Sequence, residues 1–206
     1  MKRKITILTI AFLSSMLMYA NAFAAATGRC GDSITWTLDD SGNLTLSGSG
    51  EMWNYGYVTS PFKDYGIKTV TIEYGITSIG DYVFRGCCGM TELTLPNSVT
   101  SIGDGAFRGC RGLTKLTLPN SVTSIGESAF YLCSGLSKIT SLAEIPPVCG
   151  SGVFDGVNKT NCKLIVPIVS VIAYKQAEVW NEFSNIKGFS GVEVTVAGKT
   201  RKIVVE

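Results

Sequence analysis

Apolar side chains return at a fixed interval in the middle of the chain. The segment LTLPNSVTSIGDGAF begins at Leu93, and its near copy LTLPNSVTSIGESAF begins 23 residues later, at Leu116. A weaker copy, VTIEYGITSIGDYVF, begins one period earlier, at Val70. A fixed period of this length is typical of a solenoid, in which each repeat forms one coil that packs mainly against the coils before and after it.

Each repeat carries six apolar positions in the same order. A unit of 23 residues cannot bury six such side chains alone, so each position is expected to form a column through the stacked coils. Within the repeat, the alternation Leu-Thr-Leu predicts a strand with one buried and one exposed face. The six columns are Met90/Leu113/Leu136, Val70/Leu93/Leu116/Ile139, Ile72/Leu95/Leu118, Ile76/Val99/Val122, Ile79/Ile102/Ile125 and Phe84/Phe107/Phe130.

Glycine and acidic residues mark the turns of each coil. In each copy a glycine turns the chain, and the acidic residue that follows it, Asp81 or Asp104, is expected to cap a single helical turn. A second glycine, Gly86 or Gly109, suits the left-handed residue that closes such a turn. Leu132 stands at that place in the third copy, so we expect the closing geometry of that coil to differ.

The repeat becomes irregular on its C-terminal side. Residues 139–142 hold the strand position of a fourth copy, and residues 152–154 resemble the end of the repeat. A last strand at residues 164–167 matches Leu116 to Pro119. The pattern therefore predicts a solenoid over residues 67–167, with three clear coils, one irregular coil and one capping strand.

The two ends of the solenoid are predicted to be caps of different sequence. Residues 25–66 are expected to form an N-terminal β cap, with a hairpin of residues 34–38 and 44–46 followed by an aromatic loop. Residues 168–206 are expected to form a C-terminal cap and tail, with a helix beginning near Ser170 and a final hairpin over residues 192–205. The helix places four apolar side chains on roughly one face: Tyr174, Ala177, Trp180 and Phe183.

The first 24 residues have the order of a secretory signal peptide. A basic start at residues 2–4 is followed by an apolar run from Ile5 to Tyr19 and then by small residues with several A-x-A cleavage points. The apolar run is shorter than the roughly 18–20 residues that cross a bilayer. The sequence therefore predicts export and removal of residues 1–24.

Charge and histidine content narrow the classes of function. Removal of residues 1–24 leaves 15 basic against 16 acidic side chains, which argues against a basic face for nucleic acid. The chain has no histidine, which excludes Ser-His-Asp and Cys-His nucleophiles and every metal site that needs histidine. We expect no enzyme, no cofactor and no metal. Glycoside hydrolysis needs paired carboxylates about 5–10 Å apart, for which Asp81 and Asp104 are weak candidates.

Three of the seven cysteines fall in one column of the repeat. Cys87, Cys110 and Cys133 are expected to stack inside the solenoid at the strand spacing of about 4.8 Å. The Cβ atoms of a disulfide are usually about 3.5–4.5 Å apart, so these residues are expected to be buried free thiols.

The other cysteines lie outside that column. A disulfide between Cys149 and Cys162 would close a loop across the irregular fourth coil, and an exported protein allows such a bridge. Cys30 and Cys88 have no evident partner.

The outward face of the predicted strands carries two columns of polar residues. One interpretation is a binding surface; the other is that threonine favours strands and pairs well across them, and that the charges form a solvated face. Both remain open. The threonine column is Thr71, Thr94, Thr117 and Thr140, and the second column is Thr69, Glu92, Lys115, Lys138 and Lys163.

The aromatic loop offers a second set of candidate ligand-binding residues, namely Trp53, Tyr55 and Tyr57. Tryptophan and tyrosine are enriched among the residues that dominate binding energy at interfaces. The same side chains would also serve to cover the open end of the first coil. The sequence does not decide between these two uses.

The repeat LTLPNSVTSIGDGAFRGC, from Leu93 to Cys110, resembles the BspA-type leucine-rich repeat of bacterial surface proteins. The segments PPVCGSGVF and AYKQAEVWNEF resemble the terminal cap of that family, and CGDSITWTLDDSGNLTLSGSGEM resembles its N-terminal lead-in. The resemblance covers nearly all of residues 30–186.

This resemblance implies a β-rich α/β solenoid, a right-handed leucine-rich-repeat coil with an N-terminal hairpin cap and a C-terminal helix and hairpin cap. It also implies export and adhesion to host, matrix or microbial surface molecules, and it supplies no catalytic residues. The expected function is non-catalytic binding of an extracellular protein or glycan. A structural spacer or self-assembling surface scaffold is the alternative, and a glycan-acting enzyme is the least favoured.

Overall fold

The computed structural model describes residues 24–63, 65–196 and 199–204, and it describes the side chains of residues 26–63 and 65–190. The predicted signal peptide therefore lies outside the described residues, apart from Ala24. The strands are β1 (Ala24–Gly31), β2 (Ile34–Asp39), β3 (Asn43–Gly48), β4 (Gly50–Glu51), β5 (Thr69–Ile72), β6 (Ile76–Ile79), β7 (Glu92–Thr94), β8 (Ser101–Ile102), β9 (Lys115–Leu118), β10 (Ser124–Ile125), β11 (Lys138–Ser141), β12 (Val148–Cys149), β13 (Lys163–Pro167), β14 (Asn185–Phe189), β15 (Gly191–Val196) and β16 (Lys199–Val204).

Two parallel sheets run along the solenoid. Strands β7, β9, β11, β13 and β14 pair in that spatial order, and we call this sheet the front sheet. Strands β4, β6, β8, β10 and β12 form the second sheet. The predicted columns are in register in the front sheet, where Leu93 pairs with Leu116 and Leu116 with Ile139. The predicted solenoid of about 23-residue repeats is confirmed.

A stack of phenylalanine rings forms the centre of the core. Phe84, Phe107 and Phe130 are fully buried, and neighbouring rings are nearly parallel with centroids 5.1 and 5.2 Å apart. Phe62 extends this stack at one end, and Phe154 extends it at the other. One aromatic column therefore connects the coils from the N-terminal cap to the C-terminal cap.

The N-terminal hairpin is present, and it also begins the solenoid. Strands β2 and β3 pair in antiparallel fashion, as predicted, and β1 adds a further antiparallel strand. Strand β3 then pairs in parallel with β5, and β4 pairs with β6, so residues 43–62 form an additional coil. The repeat pattern does not reveal this coil, because Ser47-Gly48-Ser49 replaces the Pro-Asn-Ser of the clear copies. The solenoid has about six turns.

The prediction that Asp81 and Asp104 cap helical turns of their own coils is wrong. The Oδ1 atom of Asp81 accepts a hydrogen bond from the backbone N–H of Asp104 at 2.8 Å, and Oδ1 of Asp104 accepts one from Glu127 at 2.7 Å. The turns after these residues contain no helix. Gly103 allows this approach, because a Cβ atom there would lie 2.3 Å from Oδ1 of Asp81. The carboxylates therefore connect one coil to the next.

The left-handed residue that closes each turn is confirmed at Gly86 and Gly109, whose φ angles are 77° and 76°. Leu132 has the same conformation, with φ 57°, so the expected difference in the third copy is wrong. Leu132 donates its backbone N–H to the carbonyl of Asp155, the bond that Gly109 makes to Tyr131 one coil earlier. Stacking between coils therefore sets this geometry, although leucine disfavours it.

The C-terminal cap covers the last coil. The helix α1 (Val171–Gln176) is shorter than the predicted helical segment, and a separate 3-10 turn forms at Trp180–Glu182. Tyr174, Trp180 and Phe183 are nevertheless all buried, as the spacing predicted. Strands β15 and β16 form the predicted final hairpin.

Candidate functional site

The charged column predicted on the outward strand face is present from Glu92 onwards. Glu92 pairs with Lys115, Lys115 with Lys138, and Lys138 with Lys163 in the register of the front sheet. Thr69 belongs instead to β5, where it pairs with Asn43 and donates its hydroxyl to Oδ1 of that residue at 2.6 Å. The outward column of the front sheet therefore begins with one acidic residue and continues with three basic ones.

One ion pair joins the acidic residue of this column to the first basic residue. Nζ of Lys115 lies 2.5 Å from Oε1 of Glu92, and both side chains are about 60% exposed. An exposed pair of this kind stabilises a protein by only about 0–1 kcal/mol, so its contribution to the fold is small. Its two charges therefore remain open to solvent and to a partner.

The threonine column runs beside the charged one on the same face. Thr94 pairs with Thr117, and Thr117 with Thr140, so their outward side chains follow one another at the strand spacing. Thr71 pairs with Thr45 of β3 and does not join the front sheet. The front sheet thus presents hydroxyl groups and charges in fixed rows.

The three aromatic candidates do not form one cluster. Nε1 of Trp53 donates a hydrogen bond to Oδ1 of Asp32 at 3.0 Å, and the Trp53 side chain is 42% exposed. Tyr55 is partly buried and packs against the core, as expected for a residue that covers the first coil. Tyr57 lies elsewhere, beside two arginines.

Tyr57 belongs to a cluster of aromatic rings and arginines that the sequence did not predict. The guanidinium carbon of Arg85 lies 3.6 Å from the centroid of the Tyr57 ring. The guanidinium of Arg108 lies 5.6 Å from the same ring and 4.0 Å from that of Tyr131. The phenylalanine of each clear copy is followed directly by one member of this cluster: Arg85, Arg108 or Tyr131. The repeat therefore indicates that these three side chains are neighbours. It does not indicate the contact with Tyr57, which comes from a loop outside the repeat.

The cysteine column forms hydrogen bonds to the coil before it. The thiols of Cys110 and Cys133 donate to the carbonyl oxygens of Phe84 and Phe107, at 3.1 and 3.2 Å. Cys87, Cys110 and Cys133 are buried free thiols, as the sequence indicated. Burial raises the pKa of Cys87 and of Cys133 to about 12.

We expect this burial to make stability fall at alkaline pH. In the unfolded chain these thiols ionise near their ordinary pKa of 9.0, whereas in the folded chain Cys87 and Cys133 keep their protons up to about pH 12. The contribution to stability is therefore complete below pH 9 and is lost as the pH rises from 9 to 12. Because each thiol ionises in the unfolded chain but not in the folded one, the free energy of unfolding should fall by about 1.4 kcal/mol per pH unit for each thiol in that window.

Urea unfolding of the reduced protein at pH 8 and pH 10 measures this effect. The double variant Cys87→Ala/Cys133→Ala is the control, because it retains the tyrosines and lysines that also titrate in this range. The fall in stability should be smaller in the variant. Equal falls in the two proteins would contradict the assigned role of the buried thiols.

The disulfide considered between Cys149 and Cys162 is not formed in the structure, where both residues are free thiols. Cys149 belongs to β12 of the second sheet, whereas Cys162 immediately precedes β13 of the front sheet. Cys149 therefore lies in the second sheet, and Cys162 lies in the loop that leads into the front sheet. Cys149 contacts the carbonyl oxygen of Pro147 through its sulfur at 3.6 Å, and Cys162 is buried.

The described part of the chain holds neither a candidate metal centre nor a helix that could span a membrane. No group of three or more His, Cys, Asp or Glu side chains there is placed to hold a metal ion. No helix there has the length and apolar character needed to cross a membrane. Both statements apply to the described residues alone.

A family model matches more than half of the chain. A model of the BspA-type leucine-rich repeat region matches residues 59–172 in six copies. A leucine-rich repeat protein from Eubacterium ventriosum is similar in structure, with a TM-score of 0.48 and 28% identity over 71% of this chain and 45% of its own. A leucine rich cell surface protein from Faecalibacterium prausnitzii has a TM-score of 0.37 and 22% identity over 54% of this chain and 38% of its own. The chain thus spans less than half the length of either protein. The comparison with curated proteins gave no match.

Proposed function

Because the chain belongs to the BspA-type leucine-rich repeat family, we propose that it is a non-catalytic recognition module that acts outside the cytoplasm. Its role is adhesion to, or capture of, a host, matrix or microbial surface molecule, either a protein or a glycan. The signal-peptide pattern of residues 1–24 supports the proposed export. N-terminal sequencing of the exported protein tests that part, and the expected new N-terminus lies near Ala25.

The observation that carries the proposal is the order of the exposed rows on the front sheet. Glu92, Lys115 and Lys138 follow one another in register, beside the row of Thr94 and Thr117. Parallel pairing holds the backbones of neighbouring strands about 4.8 Å apart, so little backbone freedom has to be lost when a partner binds. A regular, rigid row of donors, acceptors and charges favours recognition of an extended partner.

Reversal of one charge at a time on the front sheet tests the proposal. The purified protein is titrated onto arrays of extracellular matrix proteins and glycans, together with the variants Glu92→Lys and Lys115→Glu. We expect saturable binding that each reversal weakens by about tenfold or more, because like charges across an interface cost several kcal/mol.

Asp40→Lys is the matched control for Glu92→Lys. It makes the same change in net charge in the exposed turn between β2 and β3, away from the front sheet. Its affinity should stay within about twofold of the wild type, less than 1 kcal/mol. A blank array from folded protein would contradict the proposal and favour the structural spacer, for which self-association would be the next property to measure.

A further inference from the structure

Each coil returns to the front sheet through a turn. These turns lie at residues 80–90, 103–113 and 126–136. We call the surface that they form the turn face. Arg85 and Arg108 occupy the same position in successive turns. The backbone N–H of Gly86 donates to the carbonyl of Arg108, and that of Gly109 donates to the carbonyl of Tyr131. These bonds keep Arg85, Arg108 and Tyr131 in one row at the coil spacing.

Aromatic rings fix the positions of both guanidinium groups. Arg85 lies over the ring of Tyr57, and Arg108 contacts the rings of Tyr57 and Tyr131. The ring of Tyr82 meets that of Tyr57 edge to face, with centroids 5.9 Å apart. A guanidinium stacked on a ring is held in orientation while the N–H groups in its own plane remain able to donate hydrogen bonds.

In the part of the chain that the structure describes, no carboxylate neutralises the charges of the two arginines. Among the described residues, neither Arg85 nor Arg108 forms an ion pair. The acidic groups on the same turns, Asp81 and Asp104, each accept a backbone N–H of the following coil. Lys63 comes next to this row, because its Cγ lies near Gly86.

We propose that Arg85, Arg108 and Tyr57 form a binding site for an anionic polysaccharide that carries sulfate or carboxylate groups. Guanidinium groups bind such oxyanions through two parallel hydrogen bonds, and repeated anionic groups along a polymer suit arginines repeated by the coil. Tyr57 is 49% exposed, so part of this side chain remains accessible to a ligand beside the two guanidinium groups. The site is on the turn face, so it is distinct from the rows of the front sheet.

The cluster also makes the Tyr57 hydroxyl more acidic by lowering its pKa. Hydrogen bonding and the positive charge of Arg85 lower the pKa of Tyr57, and Arg108 contributes in the same direction. This agrees with a site whose local potential is positive, although the whole chain has a net charge of only +2.

Calorimetric titration with heparin and with polygalacturonate tests the site, since the first supplies sulfate and the second carboxylate. Dextran serves as the neutral polysaccharide, and single-stranded oligothymidylate serves as an anionic polymer of another class. We expect binding to at least one acidic polysaccharide, none to dextran, and weaker binding to the oligonucleotide. The double variant Arg85→Ala/Arg108→Ala should weaken polysaccharide binding by about tenfold or more, because charge-assisted hydrogen bonds are lost.

Two further variants separate stacking from charge. Arg85→Lys/Arg108→Lys keeps both charges but removes the planar groups, and it should also bind more weakly than the wild type. Lys68→Ala/Lys175→Ala removes two exposed positive charges elsewhere and should change the affinity by less than about twofold. Circular dichroism and the unfolding temperature establish that each variant is folded.

Three results would overturn the inference. The first is no binding of either acidic polysaccharide by the folded wild type. The second is undiminished binding by the Arg85→Ala/Arg108→Ala variant. The third is equal or tighter binding of the oligonucleotide, because unspecific attraction to any polyanion would then explain the data.

Discussion

Replacement of Phe107 by alanine is expected to lower the free energy of unfolding by about 3–5 kcal/mol. The Phe107 ring is fully buried between Phe84 and Phe130, and its planes are within 6° of both neighbours. Truncation removes the contacts on both faces of the ring and leaves a cavity in the middle of the stack. Neighbouring coils are fixed by their sheet hydrogen bonds and cannot move together to fill it.

Urea unfolding measures this loss, with Tyr74→Ala as the control. Tyr74 is 80% exposed, so removing its ring should change the stability by less than about 0.5 kcal/mol. A loss below about 1 kcal/mol for Phe107→Ala would contradict the assignment of this residue to the central column.

Replacement of Trp180 by alanine is expected to cost a similar amount, about 3–5 kcal/mol. Trp180 is fully buried in the C-terminal cap, where its ring centroid lies 5.3 Å from that of Phe154 at the end of the phenylalanine stack. Its Nε1 donates a hydrogen bond of 2.8 Å to the carbonyl of Pro147. Truncation therefore exposes the last coil and leaves the buried carbonyl of Pro147 with only the weak thiol donor of Cys149.

Trp180→Phe separates the two contributions. Phenylalanine retains an aromatic ring against Phe154 but cannot donate to the carbonyl of Pro147, so a smaller loss of about 1–3 kcal/mol is expected. Urea unfolding compares the two variants. If Trp180→Ala were no more destabilising than Trp180→Phe, ring packing against Phe154 would not be the main contribution of Trp180 to the stability of the protein.

The solenoid was predictable because one pattern of burial is repeated. Leu93 and Leu116 occupy equivalent places in two nearly identical copies, so the register of one pair of strands predicts the others. The repeat also predicted that Glu92 and Lys115 are neighbours on the outward face. In the structure these two side chains form an ion pair. Because equivalent residues of successive repeats are neighbours in the sheet, the position of a residue within the repeat predicts its neighbours in the folded chain.

Contacts made by non-repeated segments were not predictable in this way. The additional coil at residues 43–62 keeps the apolar positions of Leu44, Leu46 and Phe62 but lacks the turn residues of the clear copies. Tyr57 reaches Arg85 from a loop with no counterpart in later coils, so no periodicity connects the two residues. The part of the candidate site that the sequence did not predict is therefore the part formed by a loop outside the repeat pattern.

The carboxylates of the turns illustrate a different limit. Asp81 follows a glycine at the start of a turn, which is a common place for a helix cap. In the structure its Oδ1 instead accepts the backbone N–H of Asp104, one coil away. A local preference was replaced by a contact between coils, because Gly103 lets the two turns approach each other closely.

The most direct test of the proposed recognition by the front sheet is the affinity of the charge-swapped variant Glu92→Lys/Lys115→Glu for the ligand captured on the arrays. The swap preserves the net charge and the ion pair, and it changes only the order of charges along the exposed column. We expect the variant to remain as stable as the wild type and its dissociation constant to rise by about tenfold or more. An unchanged dissociation constant would show that the charges of the front sheet are not recognised, and it would contradict the proposed function of this surface.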